Sequence, residues 1–235
     1  MSDTTARTAA NLALLDTETE RLLRTVESIP AGCLSRPTLC EGWDTAHLLT
    51  HIARNADALT NLVRWAVDGQ EREAYASEQV REQEIESGAA RPQAQIVADV
   101  RQSAETFRAE AEKLLGPAGE ATVRTRTGNE VKGAQVISMR IIEVVFHHVD
   151  LATGFQFDEV DQGWVGRNLR RGAAAWDRAG APPLTLEAEG MEPLQLGGGG
   201  QVVRGTPGLL LQWLARGIEH GLSSDEELPT PPPWG

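Results

Sequence analysis

The segment that decides the fold reads Arg140-Ile-Ile-Glu-Val-Val-Phe-His-His-Val-Asp150. Its apolar residues leave almost no polar face, and a helix that is apolar all round is buried. Glu143 and His147 are four positions apart, so they share one face of a helix, and Asp150 follows one turn later. A carboxylate and an imidazole in this arrangement can bind one divalent metal, or the carboxylate can pair with an arginine or histidine inside the core. The segment alone leaves both interpretations open.

A second pair of polar residues lies on an earlier predicted helix. Asp44 is a favourable N-cap and Gly69 a favourable C-cap, so the pattern predicts a helix over residues 45–68. His47 and His51 lie one turn apart near its start. His51 falls among apolar residues and is expected to point inward, where a hydrogen-bonded core histidine and a metal ligand are both consistent with the pattern.

Apolar spacing predicts four long helices in the first two thirds of the chain, which is typical of a four-helix bundle with metal ligands on facing helices. The predicted helices cover residues 4–29, 45–68, 92–115 and 134–152. Residues 71–90 are charged and weakly apolar, so short helical turns or a long excursion over the site both fit. Residues 123–131 are predicted to form a hairpin-like crossing.

The pattern of predicted secondary structure changes after Gly154. A helix is predicted over residues 160–179, and strands over 184–188 and 201–204. A last helix is predicted over residues 207–218, before a proline-rich tail. We therefore predict an α+β chain, with the four-helix bundle at residues 1–154 and a small α+β domain at residues 155–235.

Composition excludes several classes of function. The chain has 235 residues and a net charge of −12, which argues against nucleic acid and anionic membrane surfaces as partners. We find no segment long enough to span a membrane and no signal-peptide pattern at the start, so we expect a cytoplasmic protein. Cys33 and Cys40 are expected to stay reduced there, and their spacing does not suit a metal-binding pair.

Two motifs make the chain resemble a known family. Glu41-Gly-Trp-Asp-x-x-His-Leu-Leu-x-His51 resembles the N-terminal motif of the mycothiol-dependent maleylpyruvate isomerases, which belong to the DinB-like metal-binding bundles. Met139-Arg140-x-x-Glu143-x-x-x-His147-x-x-Asp150-Leu151 resembles their second motif. Ala215-Arg216-Gly217 and the closing Pro-Pro-x-Trp resemble the C-terminal pieces of the family.

The resemblance implies a zinc site, a thiol cofactor and a reaction. Carried over by position, the zinc ligands are His51, Glu143 and His147, although the sequence does not fix which divalent ion binds. The thiol is mycothiol, the low-molecular-weight thiol of actinobacteria. It adds to the cis double bond of maleylpyruvate and leaves after rotation, which gives fumarylpyruvate. Arg216 matches a functional arginine expected to hold a carboxylate or the developing enolate. Asp150 is a candidate partner for a ligand imidazole, or it forms an ion pair with Arg140 or another base.

Other assignments stay open at this stage. Tyr75 and His47 are weak candidates for contacting the thiol or substrate, and His148 and the cysteines have no assigned role. A mycothiol S-transferase and a non-enzymatic metal-binding or thiol-binding module are the alternative functions. The expected partners are a small anionic substrate and a low-molecular-weight thiol, and the expected state is a monomer or homodimer.

Overall fold

The computed structural model describes residues 3–234. It divides into two compact units, the first ending at Thr153 and the second beginning at Gly154. Within the described range, seven α-helices accompany a two-stranded and a four-stranded sheet. This combination confirms the predicted α+β class.

Four long helices form the core of the first unit, and a shorter helix joins them. The helices are α1 (Asp3–Ser28), α2 (Thr45–Asp68), α3 (Glu78–Ala89), α4 (Gln93–Ala111) and α5 (Gly133–Asp150). Helices α1 and α2 each pack against both α4 and α5, so these four close into a bundle, as predicted. Their apolar stripes meet in a core that excludes water, which is the main stabilising term for such a bundle.

Helix α2 has the predicted bounds because its caps are strong. The Asp44 carboxylate accepts a hydrogen bond from the backbone N–H of His47, which satisfies one of the unpaired donors of the first turn. Gly69 ends the helix in the left-handed region with φ of 73°, where a side chain would be strained.

The charged stretch 71–90 contains α3, which settles the alternative left open by the sequence. Ser77 caps α3 by accepting from the backbone N–H of Val80. The helix buries Ile85 and Gly88, and it packs on α2. A Cβ atom on Gly88 would lie 2.4 Å from Cγ2 of Thr50, so glycine is what permits this close approach.

Between α4 and α5 the chain makes two short 3₁₀ turns and a hairpin. The turns span Glu112–Leu115 and Pro117–Glu120. Strands β1 (Thr122–Arg124) and β2 (Glu130–Lys132) are antiparallel, with Val123 opposite Val131. The hairpin confirms the predicted crossing and leads directly into α5.

The second unit is a small sheet with two helices. Its elements are α6 (Gln162–Arg178), β3 (Leu184–Ala188), β4 (Leu194–Leu196), β5 (Gln201–Gly205), α7 (Pro207–Arg216) and β6 (Ser223–Ser224). The strand order is β4-β3-β5-β6, in which only β3 and β5 are parallel. Helix α7 ends two residues earlier than predicted, because Gly217 adopts φ of 67°.

The proline-rich tail lies against α6 of the same unit. A Cβ atom on Gly172 would lie 2.7 Å from a ring atom of Trp234, so glycine makes room for this indole. Among residues 3–234, no helix has both the length and the apolar character needed to cross a membrane.

Candidate metal centre

Three polar side chains from α2 and α5 converge inside the first unit. His51 comes from the second turn of α2, and Glu143 and His147 come from one face of α5. The two helices are tied together beside them by Arg140. Its Nη1 donates to the backbone oxygen of Ile52 at 2.9 Å and to Oδ1 of Asn55 at 2.8 Å. This buried contact fixes α5 against α2 one turn from Glu143.

The three donor atoms form a nearly equilateral triangle. Nε2 of His51 lies 3.2 Å from Oε2 of Glu143 and 3.1 Å from Nε2 of His147. Nε2 of His147 lies 3.3 Å from the same Glu143 oxygen. Three lone pairs so close repel one another unless a proton or a cation lies between them. The cluster is therefore built around a positive charge.

A zinc ion fits this donor set. Two imidazole nitrogens and one carboxylate oxygen are ordinary zinc ligands. Bonds of about 2.0–2.1 Å in a tetrahedral array separate ligand atoms by roughly 3.3–3.4 Å, close to the observed edges. His51 is buried, whereas 30% of the Glu143 side chain is exposed, so the cluster is accessible from one side. Three protein ligands with an open side are the pattern of catalytic rather than structural zinc.

Protonation in the metal-free cluster follows from its contacts. Burial lowers the pKa of His51. Burial also opposes ionisation of Glu143, but the hydrogen bonds from His147 and His51 outweigh it and hold the Glu143 pKa below its ordinary value. Despite burial, hydrogen bonds to Asp150, Cys40 and Glu143 raise the pKa of His147 well above the ordinary range. The charge inside the metal-free triangle is thus a proton on His147, and a metal must displace it.

Asp150 holds the far side of the His147 ring. Its Oδ2 accepts from Nδ1 of His147 at 2.8 Å, which leaves Nε2 directed into the triangle. The Asp150 side chain is fully buried. The alternative pair with Arg140 is wrong, because ten residues along a helix separate the two by about 15 Å.

Cys40 is a neighbour of the site that sequence reasoning missed. Its Sγ lies 3.4 Å from Oδ2 of Asp150 and 4.0 Å from Nδ1 of His147. Cys40, His147 and Asp150 also lie close enough together to be considered as metal ligands. Because Nδ1 of His147 donates to Asp150, we assign this trio to orienting the imidazole. The thiol is 110 positions from Asp150, and no local pattern in the sequence indicates such a contact.

The remaining candidates of the first unit lie around the triangle rather than in it. His47 contacts Asp44 at 2.6 Å and Glu86 at 3.3 Å. Although burial lowers it, these two carboxylates raise the pKa of His47 overall. Tyr75 is half-buried, and burial raises its pKa.

His148 faces the opposite side of α5 from the triangle. Its Nε2 lies 2.8 Å from Oγ1 of Thr25 on α1. Burial, followed by the charge of Arg21, lowers the pKa of His148 to about 4, so the ring is neutral at pH 7. The contact gives His148 a packing role between α5 and α1.

Arg216 belongs to the second unit. It is the last residue of α7, and its Nη1 donates to the backbone oxygen of Ala215 at 2.8 Å.

A second arginine, which sequence reasoning missed, lies beside the triangle itself. Nη2 of Arg81, from α3, is 3.4 Å from Nδ1 of His51. The residues around Arg81 are charged but form no recognisable motif. The sequence therefore does not indicate that Arg81 lies at the site.

Comparisons with known proteins agree with the geometry. A family model described as the mycothiol maleylpyruvate isomerase N-terminal domain matches residues 15–152. A crystal structure of a mycothiol-dependent maleylpyruvate isomerase is 26% identical, with a TM-score of 0.90 over 100% of both chains. A histidine-to-alanine mutant of a mycothiol-dependent maleylpyruvate isomerase is 25% identical, with the same TM-score and coverage. A comparison with curated protein sequences gave no match. The chain therefore belongs to the mycothiol maleylpyruvate isomerase family and is an isomerase.

Proposed function

We propose that this isomerase depends on zinc and mycothiol and converts maleylpyruvate to fumarylpyruvate. The observation that carries the proposal is the open-sided triangle of His51, Glu143 and His147 in a chain of this family. The reaction changes only the geometry of a double bond, so it requires no redox partner. It requires a nucleophile that adds and leaves, and it requires groups that stabilise negative charge.

His51, Glu143 and His147 would hold the zinc ion. When bound, zinc stabilises a thiolate at neutral pH and so supplies a nucleophile for reversible addition to the double bond. The two imidazoles must bind through Nε2 as neutral ligands, and Glu143 contributes the negative charge. The depressed pKa of Glu143 means that this carboxylate is already ionised at neutral pH.

The role of Asp150 is to hold a proton at a defined atom. The carboxylate keeps one proton of His147 on Nδ1, so Nε2 is the nitrogen that would bind the metal once its own proton is displaced. The Cys40 thiol donates a hydrogen bond to the same carboxylate oxygen. Both residues act through His147 and are positioning residues.

The substrate carries carboxylates and therefore needs cations. Arg216 is our candidate for one of them, because a planar guanidinium can hold a carboxylate in two-point contact. Its neighbours Ala215 and Gly217 are small, which would let a substrate approach the guanidinium.

The test is an isomerase assay on the zinc-loaded protein. Maleylpyruvate is supplied with mycothiol, with glutathione or with no thiol, and fumarylpyruvate is measured by proton NMR. We expect catalytic turnover with mycothiol, in which the thiol is recovered unchanged. Stoichiometric consumption of mycothiol with a stable conjugate in the mass spectrum would contradict the proposal and identify an S-transferase. No reaction under any of the conditions would contradict the substrate assignment.

A further inference from the structure

Arg81 occupies an aromatic cage beside the metal triangle. Its guanidinium carbon lies 6.0 Å from the ring centre of Trp43 and 5.8 Å from that of Tyr75. Only 17% of its side chain is exposed, which is low for an arginine on a charged, peripheral helix. The face of an aromatic ring attracts a cation, so the two rings favour one position for the guanidinium.

The two ends of the guanidinium meet different groups. Nη1 donates to Oε1 of Glu78 at 3.2 Å, one turn earlier on α3. Glu78 in turn accepts from Arg126 of the β1–β2 hairpin. Nη2 points the other way and reaches Nδ1 of His51 at 3.4 Å. One end is therefore anchored by a carboxylate, and the other end faces the triangle.

The contact with His51 is incompatible with the metal-bound form of that residue. A neutral imidazole that binds a metal through Nε2 carries its proton on Nδ1. Nδ1 and Nη2 are then both donors and cannot share a hydrogen bond. A largely buried guanidinium N–H needs an acceptor, so Nη2 must bond to another group once the ligand set is in use.

The surroundings indicate which acceptor is missing. The Tyr75 hydroxyl is buried beside Arg81, and among residues 3–234 no group other than this arginine is placed to bond to it. A carboxylate entering here would accept from Nη2 of Arg81 and from this hydroxyl. Charge-assisted bonds of this kind are about twice as strong as neutral ones. The geometry thus supplies two donors and a positive charge next to the metal ligands.

We propose that Arg81, held by Trp43, Tyr75 and Glu78, binds a carboxylate of the substrate beside the metal triangle. The inference rests on the proposed function in one respect, which is that the substrate is an anionic electrophile. It limits the substrates of this site to molecules with a carboxylate close to the reacting double bond. It also gives α3 a function, because this helix carries the cation to the site.

The test measures binding rather than turnover. Maleate, a small cis-dicarboxylate, is titrated calorimetrically into zinc-loaded wild-type protein and into Arg81→Met, Arg81→Lys and Arg101→Met. Arg101 is the matched control, since it is a half-exposed arginine of α4 that pairs with Glu27 of α1. Zinc content and thermal unfolding are measured for every variant, so that loss of metal or fold is detected.

We expect Arg81→Met to raise the Kd for maleate at least about tenfold with zinc content unchanged, the scale of one charged hydrogen bond. Arg81→Lys should fall between that variant and wild type, because it keeps the charge without the planar fork. Arg101→Met should bind as wild type does.

Wild-type affinity in a folded, zinc-loaded Arg81→Met would overturn the proposal, even if the enzyme isomerises maleylpyruvate. Equal loss in the Arg101 control would overturn it too, because the effect would then reflect overall charge. Arg81-dependent maleate binding in a protein without isomerase activity would support the role of Arg81 and refute the proposed reaction. Each of the two proposals can therefore be refuted without refuting the other.

Discussion

His147 is the residue on which the site depends most, because it bonds on both sides of its ring. One nitrogen faces His51 and Glu143, and the other is held by Asp150 at 2.8 Å. A buried carboxylate at this position fixes the tautomer and raises the basicity of the ligand nitrogen. We therefore expect Asp150 to affect metal affinity without binding the metal itself.

Replacing Asp150 by Asn tests this role. The amide keeps the size of the side chain but loses its charge, and its NH2 group can turn toward Nδ1 and favour the wrong tautomer. We expect zinc affinity to fall about 10- to 100-fold, measured by competition with a chromophoric chelator.

Cys40→Ser is the matched control for Asp150→Asn, since serine keeps a donor near Asp150. It should retain zinc affinity close to wild type. Wild-type zinc affinity in a folded Asp150→Asn protein would show that this carboxylate serves packing alone.

At this scale, the sequence could place Glu143, His147 and Asp150 together on α5, but it could not place Cys40 or Arg81 beside them. Glu143 and His147 share a helical face, so their spacing alone brings them together. Cys40 and Arg81 reach the site from a loop and from another helix. Contacts between positions so distant in sequence depend on how the elements pack, and no local pattern encodes them.

The helices differ in how far their sequence specifies them. Helix α2 has a capping carboxylate at Asp44, a terminal glycine at Gly69 and a continuous apolar stripe, so its bounds follow from local chemistry. Helix α3 buries only Ile85 and Gly88, so its sequence contains little of the periodicity that predicts a helix. Strand β6 is two serines paired to β5, and only the tertiary fold accounts for it.

Gly88→Ala tests whether the packing of α3 against α2 affects ligand binding at the site. The added methyl group would lie 2.4 Å from Cγ2 of Thr50, so either the Thr50 side chain or α3 must shift. We expect a loss of stability of about 1–3 kcal/mol, by denaturant unfolding, and a weaker affinity for maleate. Zinc content should be unchanged, since the ligands lie on α2 and α5.

Ser87→Ala is the control for this helix, because within the described part of the chain its exposed side chain bonds only to the backbone of Gln83 and Glu84 in α3. It should leave both stability and maleate affinity near wild type. Unchanged maleate affinity in Gly88→Ala would mean that the placement of α3 does not control the site.

The whole molecule is acidic, whereas the proposed substrate is an anion. The net charge of −12 repels anions at long range. At physiological ionic strength the screening length is about 8 Å, so a cation within the site outweighs carboxylates elsewhere on the surface. An acidic surface is thus compatible with an anionic substrate if the cations proposed to bind it, the metal and Arg81, lie within the site.

The fold class and the family could be identified from sequence because both rest on patterns spread along the chain. Helical periodicity indicates the bundle, and the histidine and glutamate motifs on α2 and α5 carry the resemblance to the family. The spatial relation of the donors depends on the packing of α2 on α5, which Arg140 secures through two buried hydrogen bonds. That relation became visible only in the folded chain.

The central claim is that His51, Glu143 and His147 bind one metal ion, and the most direct test is the metal content of purified protein. Zinc is quantified by mass spectrometry in wild type, His51→Ala and His47→Ala. His47 is the control because it lies one turn earlier on α2 and bonds to Asp44 and Glu86. We predict about one zinc per chain in wild type and in His47→Ala, and little in His51→Ala. Full zinc occupancy in His51→Ala would contradict the account.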